Sequence, residues 1–176
     1  MPVCAGSFTV PLATAPGFLA MSRQQHSAAP QLRVFLVDDE PAVRRGLRLL
    51  LSLEANLAVC GEAASEHAAL EGILKLQPHV AVVDLSLKAG DGLALIRRLH
   101  ELCPALKILV FSMHDQVDFA TAAFAAGAHG YIVKEEGTEK VVEAIQVILD
   151  GGRYLSEQIT SKAFARHKLA STAGTG

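Results

Sequence analysis

The chain has no long hydrophobic run, no surplus of charge of one sign and very little cysteine, and each absence removes a class of function. No apolar stretch approaches the roughly 20 residues that a membrane span needs, so no part is expected to lie within a bilayer. Lys and Arg total 16 against 18 Asp and Glu, a net charge of -2. That balance supplies no field to draw in a polyanion, so a nucleic-acid contact would have to rest on a motif. Cys4, Cys60 and Cys103 are odd in number and widely spaced, with no CxxC pair and no Cys/His spacing suited to zinc. They read as reduced packing residues of a cytoplasmic protein. The seven histidines form no HExxH or other ligand pattern; His67 and His100 fall on helices and His79 precedes a strand. There is no internal repeat and no low-complexity tract.

What is present is a regular alternation. With 176 residues, 51% of them hydrophobic, the chain can bury one domain's core and still carry flanking segments. From Leu32 onward, short apolar runs alternate with helical patterns, the signature of βα units on a parallel sheet. Val34 to Val37, Val80 to Asp84 and Ile108 to Phe111 are continuous apolar runs, which suits central strands covered on both faces. Weaker strands begin at Leu57 and end at Lys134. Between them apolar residues recur at helical spacing: Val43, Leu47 and Leu50; Leu95, Leu99 and Leu102; Val141, Ile145 and Ile148. Pro41 marks a first helical turn, Ser65 and Asp115 are candidate N-caps, and Gly127 and Gly151 fall where helices should stop.

The flanks read differently. The first 20 residues lack a basic n-region and are interrupted by Pro11 and Pro16, so residues 1–31 suit a disordered leader, or a start placed ahead of Met21, better than an export signal. Residues 32–152 form the domain. Residues 153–176 are expected to hold a short linker helix, Gln158 to Leu169, with Lys162, Arg166 and Lys168 on a solvated face, and then a disordered tail.

The residues just past each strand carry the chemistry, because a doubly wound sheet binds ligands outside the carboxyl ends of its strands. Asp38, Asp39 and Glu40 follow the first strand, Asp84 the third, Ser112 closes the fourth and Lys134 the fifth. One such Asp means little, since Asp is common in loops. Carboxylates held together repel one another unless a cation intervenes. Mg2+ suits such a site, because it binds through one or two carboxylates, keeps several waters and accepts phosphate oxygens. A neighbouring lysine adds the charge compensation that phosphoryl transfer requires. The set therefore reads as an aspartyl phosphorylation site.

The segments VFLVDDEPAVRRGL, VVDLSLKAGDGLALIRRL, LVFSMHD and GAHGYIVKEEGTEKVVEAI resemble the blocks of bacterial two-component response-regulator receivers, across nearly all of residues 33–152. The closing GGRYLS resembles the NarL/LuxR-type subfamily, whose receivers precede a DNA-binding helix-turn-helix. The resemblance implies a flavodoxin-like, doubly wound, five-stranded parallel sheet of order 2-1-3-4-5 with helices on both faces. It implies that Asp84 is the phosphoacceptor, modified to 4-aspartylphosphate, and that Mg2+ is the cofactor. Asp39 would bind the metal directly beside Asp84, Asp38 through a water, and Ser86 by its backbone carbonyl. Ser112 would bond the phosphoryl oxygen and Lys134 would pair with it. Tyr131 matches the family's switch aromatic, though a strand aromatic that is only partly buried is an equal reading. Lys88 and Glu135 stand where many receivers have proline, and neither is expected to touch the metal or phosphoryl ligands. Ser86 and His114 match positions that tune phosphate lifetime.

The implied function is a phosphorelay receiver, not an enzyme with a turnover of its own. It would be phosphorylated by a sensor histidine kinase and would switch a protein-interaction surface, with a homodimer as one outcome. The alternative is the receiver portion of a LuxR-type transcription regulator whose output domain is missing, and a less favoured one is a phosphorylation-independent pseudo-receiver. By itself the chain is expected to touch neither membrane nor nucleic acid. Other enzyme readings fail on particular residues. Gly90 to Leu95 mimics a dinucleotide loop but has Leu95 in place of the third glycine. An aspartyl-phosphate phosphatase would want an acid two residues past Asp84, where Ser86 stands. Ser112 lacks the flanking glycines of a nucleophile elbow.

Overall fold

A computed structural model describes residues 31–173, with side chains described as far as residue 166. The expected leader therefore lies outside the described residues apart from Gln31, and so does the end of the tail.

The strands are β1 (Leu32–Val37), β2 (Leu57–Ala63), β3 (Val80–Val83), β4 (Lys107–Ser112), β5 (Gly130–Val133) and β6 (Tyr154–Leu155). The helices are α1 (Pro41–Ser52), α2 (Glu66–Leu76), α3 (Gly92–Leu102), α4 (Val117–Ala125), α5 (Lys140–Leu149) and α6 (Glu157–Ala173), with a 3-10 turn at Lys134–Glu136. All strands run parallel in the order β2-β1-β3-β4-β5-β6.

Alternate residues of the apolar runs serve opposite faces, as the pleat requires. Val34, Leu36, Val82, Leu109 and Ile132 meet Leu47 and Leu51 of α1 and Val141, Ile145 and Ile148 of α5. Phe35, Val37, Val83, Val110 and Tyr131 face the other way, onto Ile73 of α2, Leu95 and Leu99 of α3 and Ala120 and Ala123 of α4. Phe35 requires glycine at two neighbours, since a Cβ at Gly61 or Gly72 would lie 2.5 or 2.7 Å from its ring. Burial on both faces is what makes these strands continuous in hydrophobicity.

Register places the site. Val37 is paired with Val83 and Ser112 with Val133, so Asp38, Asp84 and Lys134 each leave the sheet at the same edge. The backbone keeps them there: Asp84 N donates to Val37 O at 2.8 Å, and Asp38 N to Ala63 O at 3.1 Å.

Several expectations need correction. Among the described residues the sheet has six strands, not five: after Gly151 turns the chain with φ 88, Tyr154–Leu155 adds to the edge of β5. A two-residue strand is too short to show any period, so no pattern announced it. Asp115 does not cap α4; Gln116 holds that position without a side-chain bond, whereas Ser65 does accept from Ala68 N. Leu102 is 55% exposed despite its helical spacing. The last helix is longer than expected, and it is docked. Ile159 is 1% exposed, Lys162 pairs with Asp115, and Arg166 Nη1 lies 2.5 Å from Asp118 Oδ1. A face expected to be solvated is thus an interface with α4 and the loop before it.

Candidate phosphorylation site

Asp38, Asp39 and Asp84 bring carboxylate oxygens within 4.8 Å of one another at the carboxyl edge of the sheet. Asp38 and Asp84 are each 2% exposed, so neither charge can rely on water. Lys134 answers both: its Nζ lies 2.7 Å from Asp38 Oδ2 and 2.7 Å from Asp84 Oδ2. Backbone amides hold the remaining oxygens. Glu40 N donates to Asp38 Oδ1 at 2.8 Å, and Ser86 N donates to Asp84 Oδ1 at 3.1 Å. These turns follow from the sequence, since an Asp at a strand end bonds the amide two residues on.

The electrostatics follow from burial and pairing. Burial pushes the Asp38 carboxyl up from its ordinary range, against the pull of Lys134 and the Glu40 amide. Burial opposes the Lys134 ammonium, but Asp38 and Asp84 together outweigh it and raise its pKa. Lys134 therefore stays charged throughout the physiological range.

Lys88 corrects an expectation. Its Nζ is 3.0 Å from Asp39 Oδ2, so this loop residue does touch a candidate metal ligand. The contact holds the Asp39 carboxyl below the usual carboxylate range. Sequence reasoning missed it because a lysine four residues past Asp84 shows no periodic relation to Asp39. Three carboxylates thus face two ammonium groups, which leaves one negative charge over. An all-oxygen set with surplus negative charge fits a hard divalent cation such as Mg2+.

On the far side of the site Ser112 is 0% exposed, and among the described residues its Oγ makes no well-formed hydrogen bond, only a weak contact with the Tyr131 hydroxyl. A buried hydroxyl left so poorly paired is costly and calls for an explanation. Tyr131 is also 0% exposed, more buried than the strand-aromatic reading allowed, and its hydroxyl donates to His114 O at 2.8 Å. Burial drives the Tyr131 phenol far above its ordinary pKa, so it remains a donor. The His114 ring stacks on Phe119 at 3.9 Å, and its Nε2 lies 3.0 Å from Ser86 Oγ. The β4–α4 loop is thereby tied to both sides of the site.

All the candidate residues, Asp38, Asp39, Asp84, Ser86, Ser112, Tyr131 and Lys134, belong to this one edge, and they define an α/β domain with an acidic, lysine-bearing pocket. A family model, the response regulator receiver domain, matches residues 34–146. The chain belongs to that family of two-component signalling domains. It is 27% identical over 138 residues to the transcriptional regulatory protein DegU of Brevibacillus brevis, covering 78% of this chain and 58% of that protein. To the response regulator GacA of Pseudomonas protegens it is 33% identical over 131 residues, covering 74% and 62%. The chain thus spans about three fifths of the length of such relatives. A crystal structure of a two-component response regulator of the LuxR family from Aurantimonas sp. SI85-9A1 superposes with a TM-score of 0.73 at 36% identity, covering 79% of this chain and 99% of that one. Among the described residues no helix is long and apolar enough to cross a membrane.

Proposed function

We propose that Asp84 accepts a phosphoryl group from the phosphohistidine of a sensor kinase and that the domain passes this event to a protein surface. The observation that carries the reading is the buried trio of Lys134, Asp38 and Asp84 beside a Ser112 hydroxyl that makes no well-formed hydrogen bond. In the transfer an Asp84 carboxylate oxygen forms a bond to phosphorus as the phosphorus–nitrogen bond of the donor breaks, and the leaving imidazole keeps the electron pair and takes up a proton. Asp39 and Asp84 would hold Mg2+, Asp38 would act through a water and Ser86 through its carbonyl. The ion supplies charge neutralisation at the phosphoryl oxygens. Lys134 supplies a fixed positive charge, already in place before the donor arrives, and Ser112 a hydroxyl that gains a well-formed bond only when a phosphoryl oxygen is present.

No second acid stands at Ser86 to drive rapid hydrolysis, so Asp84 is a phosphoacceptor and not a turnover nucleophile. Residues 32–152 would then be the receiver, and the later residues its connection to an output. Acetyl phosphate with Mg2+ should add one acid-labile phosphoryl group to the wild type and none to Asp84→Asn, read by intact mass. Equal labelling of both proteins would reject the site.

A second reading is favoured by one observation, that the chain spans 58% of DegU, a transcriptional regulatory protein. On that reading this is the receiver portion of a LuxR-type regulator, and sequence-specific DNA binding belongs to an output domain. The chain by itself should then retain no genomic fragment in a gel-shift titration near 0.15 M salt, where surface charge is well screened. Specific retention at nanomolar protein would count against it.

A further inference from the structure

Resting on the phosphoacceptor reading above, we infer that Arg44 of α1, aimed by Glu62 of β2, is a positioning residue for the metal: it fixes the peptide between Asp38 and Asp39 and so sets where the Asp39 carboxylate meets Mg2+. Arg44 Nη1 donates to the Asp38 backbone oxygen at 2.5 Å, and its Nε donates to Glu62 Oε2 at 3.2 Å. The direction of reach follows from the helix. Side chains lean toward the amino end of a helix, so an arginine in the first turn of α1 lies over the residues that precede it. Glu40, at the N-cap, has no side-chain bond of its own to hold that turn.

Both polar groups of the Asp38 backbone are thus governed by consecutive residues of β2. Asp38 N donates to Ala63 O at 3.1 Å, and Asp38 O is held through Arg44 by Glu62. A peptide is planar, so fixing the Asp38 carbonyl also fixes the direction in which the chain enters Asp39. That matters because Asp39 has little else to orient it. Both Asp38 carboxylate oxygens are already tied, to Glu40 N and to Lys134, whereas among the described residues the Asp39 carboxylate has only the exposed Lys88 as an ion-pair partner. The Arg44 and Glu62 side chains are 17% and 20% exposed, so the brace is sheltered from water. Arg48 supplies a contrast within the same cluster. It also pairs with Glu62, at Oε1, but its side chain is 61% exposed, and among the described residues no bond joins it to the loop.

Charge and geometry pull in opposite directions at Arg44. A cation removed from the neighbourhood of the carboxylates would by itself tighten Mg2+ binding. Loss of a brace weakens it, because the outer partners of metal ligands set ligand orientation. The test titrates the metal-free full chain with Mg2+ alone, followed through the amide shifts of Asp39 and Asp84. Arg44→Met should bind the ion about tenfold more weakly than wild type, the lower end of the range for such partners. Arg44→Lys, which keeps the charge but loses the planar fork that joins carbonyl to carboxylate, should fall between the two. Should the methionine variant fail to fold, wild-type affinity in the lysine variant overturns the inference. Arg48→Met should bind Mg2+ no more weakly than wild type. At saturating Mg2+, Arg44→Met and wild type should take up fluoroberyllate, a mimic of the acyl phosphate, with equal affinity, since Asp84, Ser112 and Lys134 keep their places. Mg2+ binding by Arg44→Met as tight as wild type or tighter, equal weakening in Arg48→Met, or a fluoroberyllate deficit that Mg2+ does not repair overturns the inference, while labelling of Asp84 by acetyl phosphate still stands. A wild type whose Asp39 and Asp84 amides do not respond to Mg2+ overturns both.

Discussion

Ion pairs to aspartate hold two regions of this protein, and the two sets differ in burial. At the site, the side chain of Lys134 is 7% exposed and those of its partners Asp38 and Asp84 are 3% and 2% exposed. On the strap formed by β6 and α6, the side chains of Lys162 and Asp115 are 42% and 34% exposed, and those of Arg166 and Asp118 are 66% and 77% exposed. Buried charges cannot part without leaving an unpaired ion in a poorly solvated place, so their geometry is fixed. Exposed pairs exchange protein partners for water at little cost. The same chemistry therefore makes a rigid cup in one place and a releasable fastening in the other. A signalling domain has use for both, because the reacting groups must be preorganised while the reporting surface must move.

The largest effect should come from breaking the buried set. Lys134→Ala leaves Asp38 and Asp84 without their cation, and removal of one partner of a buried pair costs on the order of 3 kcal/mol. Urea unfolding of the metal-free protein should show that loss. Added Mg2+ should return part of it, because a divalent ion can replace the missing charge. The variant should keep its fold and lose the coupling between fluoroberyllate binding and loop position. A stability equal to that of wild type would show that the cup is not held by its lysine.

The strap should yield to a smaller change, and locally. Ile159 is the one α6 residue at 1% exposure among those named in the core, and truncating such a side chain costs about 2 kcal/mol or more when the whole fold bears it. Here α6 can detach before the domain unfolds, so the global loss in Ile159→Ala is capped by the cost of releasing the helix. Hydrogen exchange should show α6 amides losing protection while β1 and β3 keep theirs. Uniform loss across the sheet would erase the distinction between cup and strap.

A third change tests the amino end of β5, opposite the site, where β6 attaches through Tyr154 N to His129 O. His129 Nδ1 accepts from Ile108 N at 3.2 Å, and burial lowers the His129 pKa below 6.5, with Lys107 acting in the same direction. A depressed folded value means that the unfolded chain binds the proton more readily. The stabilisation is thus complete above the unfolded pKa near 6.5 and is lost as pH falls from there through the folded value. His129→Asn keeps an acceptor in place but cannot titrate, so the slope of melting temperature between pH 7 and pH 5 should be shallower than in wild type. An equal slope would assign the acid sensitivity to the carboxylates instead.

These contrasts also mark what could be read from the sequence. The central strands were legible because both of their faces are covered, which makes Val34 to Val37 and Val80 to Val83 continuous apolar runs. The carboxyl-edge residues were legible because parallel register places strand ends together, and the structure brings Asp38, Asp39, Asp84, Ser112 and Lys134 to one edge as expected. The strap was not. Two residues of β6 carry no period, and Lys162 and Arg166 look like any solvated helix face until α4 is set against them. Lys88 was misread for the same reason, since cross-loop ion pairs depend on the reach of a side chain and leave no spacing in the sequence.

Lys88 gives the smallest expected effect and links the two regimes. Its side chain is 82% exposed, yet that of its partner Asp39 is 9% exposed, so the pair joins a free side chain to a cup residue. Its ammonium stands at an oxygen that the proposed Mg2+ would need. Binding of the ion must displace Lys88 from Asp39 or share that oxygen with it, and either outcome weakens the ion's hold. An exposed lysine loses little when it leaves, because water takes up its hydrogen bonds. Lys88→Ala should therefore tighten Mg2+ binding only modestly, by about twofold, the scale of an exposed ion pair. Lys88→Arg, which keeps the charge and adds a second donor for the carboxylate, should weaken it. A titration followed through the amide shifts of Asp39 and Asp84 reads the ion directly, without any transfer reaction. Raising the salt concentration should shrink the difference between wild type and Lys88→Ala, as screening does for exposed charges. If the alanine variant binds Mg2+ no more tightly than wild type, Lys88 does not compete for Asp39, and the cup is open to its metal without any exposed pair to release.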